Sequence, residues 1–118
     1  MGEWKDAEKL EVQVVECRRR LLGDEHPSTL HAMSSLAATY FKLGEWKDAE
    51  KLEVQVVECR RRLLGDEHPS TLDAMSSLTT TYSNLGWWKD AENLQVQVLE
   101  CQRRLYSDEH PSDRKAHV

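Results

Sequence analysis

A block of 42 residues that begins at Gly2 begins again at Gly44. Blocks 2–43 and 44–85 differ at five positions only, 31/73, 37/79, 38/80, 41/83 and 42/84, so 37 of 42 are identical. A partial third block, 86–118, matches the second at 21 of 33 positions. Self-similarity at a period of this size marks a stacked architecture. One unit cannot bury its apolar face alone, and its neighbours complete the core. The 118 residues therefore count units along an array and do not measure one compact domain.

Each unit reads as two helices. In Glu45–Leu64, the residues Trp46, Ala49, Leu52, Val56, Cys59 and Leu63 step by three or four and draw one apolar stripe. Val54, Val57 and Leu64 widen the stripe, so this helix, type B, is expected to touch more than one neighbour. Gly65 supplies a left-handed stop, and Arg60, Arg61 and Arg62 suit the negative end of the helix dipole. Pro27 opens the other helix, type A, whose Leu30, Met33, Leu36, Ala37, Tyr40 and Leu43 again recur at helical spacing. Gly44 leaves a link of one or two residues, which forces an antiparallel hairpin.

The pattern predicts five helices and no strand: B at 3–22, A at 27–43, B at 45–64, A at 69–85 and B at 87–106. The units are a lone helix B in 1–22, a full repeat in 23–64, a full repeat in 65–106 and a polar tail in 107–118. In that tail Arg114 and His117 stand where the earlier units have leucine and methionine, so a further helix A is not expected. Opening in mid-unit points to a piece of a longer array.

Leu36-Ala37, Tyr40, Gly44, Trp46 and Ala49 carry the spacing L-A-x-x-Y-x-x-x-G-x-W-x-x-A. This resembles the tetratricopeptide repeat. The period and the HPSTL…LAATYFKLG…AEKLEVQVVECRRRLLG text resemble its kinesin-light-chain type, and the EVQV-x-E phrasing resembles arrays at the C-terminal end of fungal nucleotide-binding receptor-like proteins. The resemblance implies an all-α, right-handed superhelical solenoid of antiparallel helix pairs. It also implies a protein-interaction module that holds a peptide or protein in the concave groove lined by A helices. The groove-lining positions map to His31, Ser34, Ser35, Ala38, Phe41 and Lys42, and in the next unit to Asp73, Ser76, Ser77, Thr80, Ser83 and Asn84. Some family members clamp a terminal carboxylate with a set of lysine, arginine and asparagine on this face; the matching places here are mostly serine and alanine, so that clamp is not expected.

The five differences between the first two blocks all fall on helix A. With Leu30 at zero and about 100° per residue, positions 31, 38 and 42 lie near ~80–120°, opposite the apolar arc. Four of the five belong to the groove set. A fixed scaffold with a varied groove is the pattern expected of recognition.

The remaining signals read as structure. Cys17, Cys59 and Cys101 recur on the B stripe as reduced core thiols, too far apart between units for disulfides, and fit an intracellular, cytoplasmic setting. Asp24-Glu25-His26-Pro27 and its copies hold one histidine each and no cysteine; they read as helix-capping loops, with no metal expected. The arginine runs alternate with Glu16, Glu58 and Glu67 and read as solvated helix ends. A formal charge of −5 argues against nucleic acid. The uncharged stretch Met33–Phe41 is far short of the ~20 residues a membrane span needs, and the charged start offers no signal peptide. There is no phosphate loop, catalytic triad or cofactor motif, so no enzyme is expected.

A second reading is assembly. The first helix B has no A before it and the last has none after it, so apolar faces are left uncovered. The residues marked for head-to-tail self-association are Trp4, Leu10, Val14, Cys17 and Trp87, where Trp87 replaces Glu45 and Trp88 repeats the core position of Trp46.

Overall fold

The computed structural model describes residues 2–109. These fold as five helices in a row: α1 (Gly2–Leu22), α2 (Pro27–Lys42), α3 (Trp46–Leu64), α4 (Pro69–Leu85) and α5 (Trp88–Glu109). Each packs chiefly against its sequence neighbours. The body measures 58 × 34 × 21 Å with a radius of gyration of 16.6 Å. A compact chain of this length would have roughly 13 Å, so the fold is an elongated all-α solenoid.

The core is shared between units. Val15 of α1 and Leu30, Met33 and Leu36 of α2 meet Val56 and Val57 of α3, which meet Leu72, Met75 and Leu78 of α4. Leu94, Val98 and Cys101 of α5 close it. A type-B helix carries two apolar edges. Leu52 and Val56, like Leu94 and Val98, face the helix A that precedes them, while Val54 and Val57 face the one that follows. Among the described residues the first edge of α1 has no partner, and Leu10 and Val14 are exposed. Among the same residues the second edge of α5 has none, and Val96 and Leu99 are exposed.

The type-A helices begin on a histidine cap. His26 and His68 are extended residues whose imidazole Nδ1 accepts from the backbone N–H of Ser28 and Ser70, at 3.0 Å in each case. Proline follows in each unit, where its missing N–H is harmless. The hairpin turn is closed by bonds from the N–H of Glu45 to the Tyr40 carbonyl (2.8 Å) and of Trp87 to Tyr82 (2.9 Å).

Three expectations are corrected. The last helix runs to Glu109 and takes in the start of the expected polar tail; residues 110–118, with Arg114 and His117, lie outside the described residues. Gly65 adopts φ 94° and ends α3, but its counterpart is Ser107, and without a glycine for the left-handed turn the helix continues. Trp88 is 68% exposed and is no core residue, whereas Trp87 is 38% exposed and stacks on Tyr82 with ring centroids 5.7 Å apart. The reason is a neighbour. Trp46 packs against Phe41 at 6.4 Å and donates its indole N–H to the Phe41 carbonyl, but position 83 is a serine, so Trp88 has no aromatic to lean on. The arginine runs, finally, are ties between helices, some across units and some within one, and not merely solvated ends. Arg19 of α1 donates to the Gln55 side chain (2.9 Å) and Arg61 of α3 to that of Gln97, 36 residues on in both cases. Arg62 pairs with Glu25 and Arg104 with Glu67. Arg18 and Arg60 hold the Ser28 and Ser70 carbonyls at the starts of α2 and α4.

Candidate functional site

Between α2 and α4 lies a cleft of about 490 Å³ whose floor is α3. Antiparallel hairpins stacked in register put the two type-A helices side by side, and the type-B helix between them shows through the gap. Eight of the groove positions line the cleft: His31, Ser34, Ala38, Phe41 and Lys42 from α2, and Asp73, Ser77 and Thr80 from α4. Four lie outside its lining. Ser35 and Ser83 are half-buried, and Ser76 and Asn84 are exposed.

Glu53, Val56, Arg60 and Ala74 also line the cleft and were not assigned to the groove from the sequence. Three of them come from helix B. The signal was present: Ala49, Glu53, Val56 and Arg60 step by four, three and four along one face of α3, which places a carboxylate inside an apolar stripe.

Glu53 is the unusual group. It is 9% exposed, and its Oε1 has no hydrogen-bond partner. Burial pushes its carboxyl up to about 7, the Glu50 charge adds to the rise, and the Thr81 hydroxyl opposes it. The cations of the cleft are engaged elsewhere. Lys42 sits over the Trp4 ring, with its ammonium 4.6 Å from the ring centre, and Arg60 donates to the Ser70 carbonyl at 3.2 Å. Asp73 forms no ion pair among the described residues. The cleft is thus lined by hydroxyls, an apolar strip of Ala38, Phe41, Val56 and Ala74, and the carboxylates of Asp73 and Glu53, the latter with its Oε1 buried and unpartnered.

The residues marked for self-association occupy two places. Trp4, Leu10 and Val14 are exposed on α1, with Cys17 half-buried beside them. Trp87 is spent on Tyr82, and at the other end Val96, Leu99 and Trp88 are the exposed apolar side chains. The three cysteines are free thiols; Cys101 is buried and Cys59 half-buried. Among the described residues, no cluster of three or more metal-ligating side chains occurs, and no helix is long and apolar enough to cross a membrane.

Comparison with known proteins places this geometry. The fold is shared with crystal structures of a Podosopora anserina protein, provisionally named a kinesin light chain, with nearly identical TPR-like repeats. A singly substituted form of that protein matches at a TM-score of 0.83 and 35% identity, covering 94% of this chain and 52% of that one. The form without the substitution matches at 0.82 and 35%, covering 94% and 53%. BtubC (BKLC) from P. vanneervenii shares the fold at a TM-score of 0.80 and 16% identity, over 87% of this chain and 41% of that one. The chain spans about half the length of each of these proteins or less. A search of the curated proteins returned no match. The tetratricopeptide-repeat family profile matches residues 1–28, 29–70 and 71–112, nearly the whole length. Repeats of this family are non-catalytic modules of protein–protein interaction. The chain belongs to the tetratricopeptide-repeat family, in its kinesin-light-chain type.

Proposed function

We propose that this protein seats a peptide or protein segment in the cleft between α2 and α4. One observation carries the reading. In two blocks that are otherwise nearly identical, four of the five differing positions are 31, 38, 41 and 42, and all four line the cleft. Scaffold positions tolerate little change because they pack, whereas a recognition surface is free to vary. The test exchanges residues 31, 38, 41 and 42 for those of the second unit (H31D, A38T, F41S, K42N). Partner choice in a display selection is expected to change while the helical circular-dichroism signal holds and the melting temperature falls by no more than the loss of the Phe41–Trp46 and Lys42–Trp4 contacts entails. Unchanged partner choice would overturn the reading.

A second reading, self-association, is favoured by the uncovered edges of α1 and α5. Both are edges of type-B helices, and each lacks a type-A partner. Joining the two ends brings B against B, so the contact is heterologous and differs from the packing inside the array. Paired substitutions L10E/V14E and V96E/L99E are each expected to keep the chain monomeric in light scattering at millimolar concentration, where the wild type associates. A monomeric wild type would remove this reading.

A further inference from the structure

The cleft has a polarity that its residue types alone do not reveal. Its own cations are committed, Lys42 to the Trp4 ring and Arg60 to the Ser70 carbonyl, while Glu53 keeps an oxygen without a partner. A buried acceptor left unsatisfied is costly, and a ligand that supplies the donor recovers that cost on binding. Resting on the groove reading, we propose that the occupant is a peptide carrying a lysine or arginine whose head group hydrogen bonds the unpartnered oxygen of Glu53.

The walls fit that side chain. Ala38, Val56 and Ala74 give an apolar surface for a methylene stem, and such stems lie along apolar surface while their charged ends reach a polar partner. Rotation about the terminal side-chain bond of a glutamate is soft, so either carboxylate oxygen can turn toward the cleft. Asp73 on the α4 wall supplies a second negative charge to a cation entering from that side. An ionised carboxylate only accepts, and a charge-assisted bond is stronger than a neutral one. An acidic ligand would instead meet Glu53 and Asp73, while among the described residues Lys42 is turned onto the Trp4 ring and Arg60 gives an N–H to the Ser70 carbonyl.

The arrangement also makes binding depend on pH. The charged and titratable groups sharing the cleft with Glu53 are His31 and Lys42 from α2, Arg60 from α3 and Asp73 from α4, with Glu50 nearby on α3. A carboxyl at about 7 is mostly neutral at pH 6 and mostly ionised at pH 8. A cation therefore binds about tenfold more tightly at the higher pH.

The test selects a random nonapeptide display library on the immobilised chain and titrates synthetic copies of the winners by calorimetry. The winners are expected to share one lysine or arginine. Replacing it by methionine is expected to weaken binding about tenfold in the wild type and not in E53Q, whose melting temperature at pH 8 should be no lower. On an H31Q background the tightening from pH 6 to pH 8 is expected to persist, and E53Q should flatten it. Winners that are lost on A38E or T80E, yet carry no common basic residue or bind E53Q equally well, would overturn the cation site while leaving the groove reading standing. Winners indifferent to A38E and T80E, or no winners at all, would overturn the groove reading and this inference with it.

Discussion

The same pair of side chains occurs twice and is built differently each time. Glu11 on α1 faces Thr39 on α2, and Glu53 on α3 faces Thr81 on α4; the residues are identical and 42 positions apart. In the first pair the Thr39 hydroxyl donates to the carboxylate at 2.5 Å, and Glu11 is half-buried. In the second the Thr81 hydroxyl, 3.2 Å from the Ser77 carbonyl of its own helix, is shared with the Glu53 carboxyl, which is buried and keeps its Oε1 unpartnered. What differs is the neighbourhood. Among the described residues α1 packs against α2 and Glu11 is half-buried, whereas α3 is enclosed by α2 and α4. In a repeat array, identical residues acquire different chemistry from their place in the row.

The comparison requires that general packing be equal in the two units. Met33 and Met75 are 1% and 0% exposed. Truncating either to alanine is expected to cost about 2–4 kcal/mol, with the two values within about 0.5 kcal/mol of each other, measured by urea unfolding. Unequal values would mean that the units differ in their cores and that the glutamates are only one symptom.

A smaller effect isolates Glu53. Its folded carboxyl is raised to about 7 from an ordinary 4.5, so the native state holds a proton that the unfolded chain has released. Stability attributable to this group is greatest below about 4.5, is lost as pH rises toward 7 and stays lost above that. The total is up to about 3 kcal/mol. The wild type minus E53Q difference is expected to show that slope. A flat difference would mean that burial holds no proton on Glu53.

Next come the hydroxyls. T39V removes the donor that serves Glu11 and is expected to cost about 1–2 kcal/mol. T81V removes a hydroxyl shared between a carbonyl of its own helix and Glu53 and is expected to cost less, about 0.5 kcal/mol, while raising the Glu53 carboxyl further. A reversed order would place the better hydrogen bond in the α3–α4 pair. The smallest effect belongs to a feature that the two units share. H26A and H68A each delete an imidazole acceptor at a helix start and are expected to cost about 0.5–1 kcal/mol, equally, by thermal melts.

The repeat made the architecture legible before any coordinates. Helical spacing in Trp46–Leu63 and Leu30–Leu43 gave the helices, and short glycine links gave their pairing. The cleft walls were readable because they vary between copies. Its floor was not, because Glu53 and Arg60 sit in a helix full of exposed charges, where a buried carboxylate looks like its solvated neighbours. Only the three-dimensional gap between α2 and α4 distinguishes them. The exchange of roles between Trp87 and Trp88 was hidden for a similar reason: it turns on a serine at position 83, in the preceding helix. The arginine ties were hidden as well, since their acceptors lie 36 or 37 residues away.

Those ties have an evolutionary consequence. Arg19 with Gln55 and Arg61 with Gln97 are the same bond displaced by one period, as are Arg62 with Glu25 and Arg104 with Glu67. Unequal recombination that inserts or deletes a whole unit recreates every such bond at the new junction. An event off by any other length sets arginine against the wrong side chain. The number of units can therefore change without breaking these ties, and the near-identity of the blocks supplies the sequence homology that such exchanges need.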